Sequence, residues 1–388
     1  MPEADQPEPH VPHPSTTVVR RDASFIAPDE QAPALALPPR HLSVREIFVA
    51  ADGLRAGWGL LVYAALLYAL LSGSGFLIHA LREHVAASRS IAVEQARPLS
   101  SKSSVPAPSP LLPPGAILLG EGSASLSVVV ATWLMGKIER RPTSVYGLGG
   151  RRRLRNFLAG FAWGLVLLSL LVFTLRASGL LAFDGRLLFG AGALRYGAIW
   201  LAGFLLVGLF EEYFFRGYLQ FTLARGIDGI YSWLGTRYSS TQDARRINTS
   251  SIGFWIAALL LSFGFGFMHR SNAGESHVGL LAAALIAVVF CLSLWRTGSL
   301  WWAIGFHAAW DWAQSFLFGV ADSGIAIQGH LFATHPAGRP LFSGGLTGPE
   351  GSVFILPVVA SIAAVILLTL PSAHRERPLA TPRATPLD

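Results

Sequence analysis

Cysteine is almost absent from this chain of 388 residues, where Cys291 stands alone inside an apolar run. One thiol excludes an intramolecular disulfide, leaves the redox compartment open, and reads as a small buried hydrophobe. Charge is also scarce: Asp, Glu, Lys and Arg make up 14% of the residues, against 52% hydrophobic ones. That balance, with a mean hydropathy of +0.47, excludes an ordinary soluble domain. Residues 1–43 lack helical periodicity and show no apolar core behind a basic start, which argues against a signal peptide there and predicts a disordered tail. No long internal repeat and no HExxH signature is present.

What the chain has in place of charge is long apolar windows. A hydrocarbon core about 30 Å thick needs roughly 20 residues of helix to cross it. Windows of that kind fall at roughly 58–81, 115–136, 156–175, 197–219, 252–269, 278–295, 299–320 and 352–370. The sequence thus predicts an all-α, polytopic transmembrane bundle of about eight spans. Residues 1–43 form its tail, 44–136 an interfacial helix and two spans, 137–320 the core, and 321–388 a long outer loop, a last span and a short tail. Val44, Ile47, Phe48 and Leu54 are spaced like the apolar side of the interfacial helix. Lys137, Arg140, Arg141, Arg151, Arg152, Arg153 and Arg155 crowd one loop, and by the positive-inside bias both termini are expected in the cytoplasm. The net charge of +7 reflects such loops, so a nucleic-acid partner is not implied and membrane lipid is.

One span breaks the rule that such helices avoid charge. LFEEYFFRGYL places Glu211, Glu212 and Arg216 within the fourth window. If central and unpaired, the three together would cost roughly 8–10 kcal/mol on insertion scales. Glu212 and Arg216 lie about 40° apart around a helix and can pair along one face, whereas Glu211 lies about 140° from Arg216 and needs another partner. A span that simply ends at Glu211 would explain the acids as a wet boundary. Two further segments count against that. LSFGFGFMHR puts Phe265 and His269 one turn apart, with Gly264 and Gly266 permitting close helix approach, and AIGFHAAWDWAQSF does the same for His307 and Asp311. Ionisable groups on three apolar helices are most cheaply accommodated by converging in the bundle interior.

The set allows hydrolytic chemistry. A glutamate in a low-dielectric cavity is fitted to take a proton from water, and Glu211 suits that role, with His269 sharing the water. Glu212 is assigned to structure and to positioning Arg216. His307 can donate to the oxygen of an attacked carbonyl, with Asp311 orienting the ring or, if protonated, donating as well.

EEYFFR, FGFMH and HAAWD match, in order and on successive helices, the EExxxR, FxxxH and HxxxN/D motifs. The chain thereby resembles the CPBP family of intramembrane proteases, also called the CAAX protease and bacteriocin-processing or Abi family. The resemblance covers about residues 140–320, with GLRAGW and YGLGGRRRLRN also similar. It implies an endopeptidase in which Glu211 and His269 activate water while His307 and Asp311 form an oxyanion hole. It also implies a protein or peptide substrate, prenylated in the best-known members, and a bacterial inner membrane as location. The eukaryotic-type members have asparagine where this chain has Asp311, and a carboxylate there would repel an oxyanion unless protonated or acting through His307.

No cofactor is expected. Glu211, His269, His307 and Asp311 are also legitimate zinc ligands, so a zinc site is the rival within the enzyme class. Rivals of other classes are a proton-linked transporter and a noncatalytic immunity or scaffold protein on the same fold. Glu121, beside Gly122, Ser123 and Ser125, is expected to make a hydrogen-bonded packing contact. Trp301, Trp302, Trp310 and Trp312 read as anchors and packing, and His277, His330 and His335 as loop residues. The Gly-rich stretch 321–350 is expected to cover an entrance.

Overall fold

The computed structural model describes residues 48–50, 53–93, 111–150, 152–238 and 249–371. The expected tail over 1–43 and most of the Pro/Ser linker before residue 111 lie outside them. Nine helices make up the described architecture: α1 (Ala56–Val93), α2 (Pro114–Ile138), α3 (Arg153–Ala177), α4 (Gly190–Glu212), α5 (Gln220–Tyr238), α6 (Thr249–Met268), α7 (His277–Thr297), α8 (Trp301–Asp311) and α9 (Ile355–Thr369). Six helical segments are long and apolar enough to cross a membrane, and all eight expected spans fall on helix. The protein is an integral membrane protein. The seventh window is shorter than its hydropathy implies, since α8 passes into a π-helical segment, Trp312–Leu317. The eighth, α9, is 15 residues long.

Local signals set the helix ends. Pro114 opens α2, where a missing N–H costs nothing. Ser276 caps α7, its Oγ accepting from Gly279 N at 3.0 Å, and Gly298 in the left-handed region closes it. The fourth window behaves differently. α4 runs without interruption into a π-helical segment, Tyr213–Leu219, which breaks helical geometry at Gly217 (ψ −107°) and then continues as α5. A span expected to end near 219 is therefore followed by a further helix, α5, whose polar face gave no hydropathy signal.

Packing centres on α3 and α8. A Cβ built on Gly160 would strike Trp302 O, one on Gly164 would strike Phe306 O, and one on Gly305 would strike Phe157 O. Backbone thus lies directly on backbone, the geometry that small residues permit between membrane helices. Around this seam α7 and α9 complete a core in which Leu168, Val172, Trp302 and Ile362 are fully buried. Without a hydrophobic driving force between helices in lipid, such close van der Waals contact supplies much of the cohesion.

Two small sheets lie outside the helices. β1 (Val49–Ala50) and β2 (Gly53–Leu54) form an antiparallel pair, so the interfacial helix expected over 44–54 does not reach Leu54; the Phe48 ring lies tilted against that of Trp58, centroids 4.7 Å apart, and Val44 and Ile47 lie outside the described residues. β3 (Leu181–Arg186) pairs antiparallel with β4 (Phe332–Pro336), with an irregularity between Phe183 and Gly185. The stretch after α8 is therefore structured: Leu112 bridges Ile327, His335 Nδ1 meets Asp184 Oδ2 at 2.8 Å, and His330 Nδ1 donates to Phe332 O at 2.6 Å.

Gly305→Ala is expected to separate α8 from α3 and to destabilise the fold by about 1–3 kcal/mol, the usual cost of overpacking. A thermal melt of detergent-purified protein reads this. Gly75→Ala on α1, where nothing lies within 4 Å of the new methyl, is expected to leave the midpoint unchanged.

Candidate active site

The last turn of α4 carries Glu211 and Glu212, the π-helical segment carries Arg216, the end of α6 leads to His269, and α8 carries His307 and Asp311. Glu212 has no exposed surface. Its Oε1 accepts from Arg216 Nη1 at 2.9 Å and from His307 Nδ1 at 3.0 Å. The expected pairing along one face is present, but the carboxylate also reaches across to a third residue on another helix. The Arg216 guanidinium in turn lies over the rings of Phe265, at 4.8 Å, and Phe290, at 5.7 Å. An arginine flanked by aromatic faces is held in place by cation–π attraction as well as by its anion.

His307 stands between this buried pair and open space. Its Nε2 lies 3.5 Å from Glu211 Oε2 and 3.5 Å from Asp311 Oδ2. Carboxylates thus face both ring nitrogens, tightly at Nδ1 and loosely at Nε2. As an imidazolium the ring donates in both directions; with Nδ1–H committed to Glu212, Nε2 is the atom free to change partner. Glu211 finds the interhelical partner that its angular position demanded, and that partner is His307.

His269 begins a short 3₁₀ turn after α6, with Nδ1 2.8 Å from Phe265 O. A carbonyl only accepts, so Nδ1 carries a proton, which in the neutral tautomer leaves Nε2 as the acceptor. This is the tautomer that takes a hydrogen bond from water.

Glu211, Arg216, His269, His307 and Asp311 all line one cavity of about 250 Å³, whose remaining wall includes Phe204, Val207, Phe265 and Phe290. Glu212 sits behind that wall and touches the cavity only through His307 and Arg216. The six sequence-derived residues therefore meet at one place.

Polar residues of the wall that escaped the sequence reading of the site include Glu121, Asp322, Ser323 and Glu350. Glu121 was expected to bond to nearby serines, but Ser123 Oγ donates to Gly120 O and Ser125 Oγ to Leu206 O, leaving the carboxylate to face the cavity. Glu350 accepts from Trp310 Nε1 at 2.6 Å and from Ser323 Oγ at 3.0 Å, so that tryptophan is a hydrogen-bond donor to the site rather than an anchor. Asp322 accepts from Ser315 Oγ at 3.5 Å. Burial, reinforced by Asp311 and Glu350 nearby, pushes its carboxyl well above the usual carboxylate range. No spacing signal links these loop residues to the helical motifs; the pairing of 112 with 327 and the turn before α9 bring them in.

The zinc alternative fits this geometry poorly. Among the described residues no group of three or more His, Cys, Asp or Glu side chains is arranged to hold a metal ion. His307 directs Nδ1 at Glu212, 3.0 Å away, and shares Nε2 between Glu211 and Asp311, each 3.5 Å away.

Residues 195–313 match the family model described as type II CAAX prenyl endopeptidase, Rce1-like. The match spans about a third of the chain and contains all six site residues. It begins later than the resemblance drawn from the motifs, within α4 rather than near residue 140. No curated protein matches the chain, and no solved structure does. Through this segment, on which every motif residue falls, the chain matches the CPBP family of CAAX proteases.

Proposed function

We propose that the cavity hydrolyses a peptide bond of a membrane-embedded protein or peptide, using a water activated by Glu211 and His269. The observation that carries this reading is the position of His307, which joins the cavity-facing Glu211 to the buried Glu212–Arg216 pair. Water placed between Glu211 and the Nε2 lone pair of His269 loses a proton to Glu211 as its oxygen attacks the carbonyl carbon. The oxyanion that forms draws the His307 Nε2–H away from its two loose contacts. At 3.5 Å those contacts are loose ionic ones, so little is lost when the donor turns to a developing charge. Collapse of the tetrahedral intermediate breaks the C–N bond, and the proton on Glu211 passes to the departing amine. Acid and amine are the products.

In this scheme Asp311 does not face the oxyanion directly. It orients the His307 ring one turn away, which resolves the difficulty of having a carboxylate where related chains have asparagine. Glu212 and Arg216 hold the other side of that ring and take no part in proton transfer. Clustering of the intramembrane acids around one cavity, rather than along a path across the membrane, supports hydrolysis over proton-coupled transport. The arginine-rich loop between α2 and α3 supports a cytoplasmic location for both termini.

The two adjacent glutamates are expected to behave oppositely. Glu211→Gln should lower cleavage by about 10²–10⁴-fold, the range for loss of a general base, with an unchanged thermal midpoint. Retained cleavage would remove the assignment and leave a noncatalytic scaffold. Glu212→Gln strands Arg216 in the core and should cost about 3–5 kcal/mol of stability, seen as a lowered midpoint before any assay of activity. Cleavage by protein treated with a chelator is expected to equal that of untreated protein; loss restored by added zinc would contradict the scheme.

A further inference from the structure

The sign of the cavity is uneven. Its cations are all engaged: Arg216 by Glu212, and His307 by Glu212, Glu211 and Asp311, while His269 donates to a backbone carbonyl. Its remaining acids are not. Among the described residues no Lys, Arg or His lies within ion-pairing distance, 4.0 Å, of Glu121, Asp322 or Glu350, although each lines the cavity.

Hydrogen bonds, not a cation, hold Asp322 and Glu350. Glu350 receives Trp310 Nε1–H on Oε1 and Ser323 Oγ–H on Oε2, which fixes the plane of the group and leaves a further lone pair on each oxygen. Asp322 follows on the same turn, beside Ser323. Asp311 has only 7% of its side chain exposed, accepts no hydrogen bond from any described residue, and shares its single ionic contact, at 3.5 Å, with Glu211 and Glu212. A carboxylate buried to that degree among other acids, facing a cavity and unbonded, is stabilised by a cation arriving from outside. The rest of the lining includes the apolar side chains of Ile117, Phe204, Val207 and Ile325.

We propose that Asp311, Asp322 and Glu350 form a subsite for an organic cation, so that the substrate is an apolar peptide carrying a lysine or arginine close to the bond that is cut. The inference rests on the peptidase reading of the same cavity. An ammonium or guanidinium supplies donors to several carboxylate oxygens at once, and an alkyl stem that packs on the apolar wall. A divalent metal ion is the other cation that acids attract, but no group of three ligands with suitable geometry is present among the described residues.

Two peptides test this: an apolar octapeptide with one internal lysine, and its norleucine twin of equal length. Binding is measured to full-length Glu211→Gln protein in nanodiscs, with chelator present so that no metal bridges the acids. The lysine peptide is expected to bind about tenfold more tightly, the effect of one good charge-assisted hydrogen bond. In the further variants Glu350→Gln and Asp322→Asn the ratio should fall below about threefold, and Glu350→Lys should favour a glutamate peptide. Equal binding of the twins by the parent protein would overturn the inference, with no variant needed. So would a lysine preference that survives both neutralising substitutions in folded protein. Cleavage is read separately with unsubstituted protein. A lysine preference without hydrolysis would sink the peptidase reading alone, and hydrolysis without a charge preference would sink this inference alone.

Discussion

One buried carboxylate organises the site. Glu212, with no surface exposed, accepts from Arg216 on its own chain segment and from His307 on α8. An isolated ion in such a place would cost several kcal/mol, and even a paired one is stable only with good geometry and further hydrogen bonds. The requirement is therefore strict. α4, the π-helical segment after it and α8 must meet at this point, and the ring of His307 must present one nitrogen inward and the other to the cavity. The geometry proposed for catalysis emerges from what is first a problem of burying charge.

Two features of the backbone make that meeting possible. The glycines of α3 and α8 let those helices touch along their main chains, which fixes the depth and rotation of α8 and so of His307 and Asp311. On the other side, the π-helical segment Tyr213–Leu219 turns Arg216 inward while Tyr218 OH donates to Glu139 Oε1 at 2.8 Å. Glu139 also lies within 3.4 Å of Arg141 Nε and 3.5 Å of Arg225 Nη2, so a second buried acid clamps the far side of the bulge. π-bulges often mark functional positions, because the extra residue per turn redirects side chains that an α-helix would place elsewhere. Here the segment carries Arg216, paired with Glu212 one turn before it, and Tyr218, which reaches Glu139.

Much of this was legible in the sequence, and the reasons are specific. Hydropathy located the helices because lipid demands it, and one-turn spacing located Glu212 with Arg216 and His307 with Asp311 because helical geometry is local. The need of Glu211 for an interhelical partner followed from angle alone. What could not be read was anything set by distant contact. Assigning His307 to the carbonyl oxygen gave no hint that Glu212 would hold its other nitrogen, 95 residues away. Glu139 looked like one acid in a basic loop, and Cys291, expected to be a plain hydrophobe, is indeed buried but donates to Gln220 Oε1 at 3.2 Å. Asp322 and Glu350 lie in a Gly-rich stretch whose composition says turn and whose path depends on strand pairing with residues 181–186. The helix expected from residue 44 does not extend over 53–54, which pair as a strand with 49–50, and Gly53, at φ +117°, adopts a conformation that ends helices.

The central claim is that Glu212 acts on the chemistry through His307. A double-mutant cycle of Glu212→Gln and His307→Gln, read in kcat/KM for peptide cleavage, tests it most directly. If the ring depends on the buried carboxylate, the two losses do not add, and the cycle returns a coupling of about 1–3 kcal/mol, in the range seen for residues in contact within one network. Additive losses, with a coupling indistinguishable from zero, would show that the two residues serve the site independently and would contradict the account.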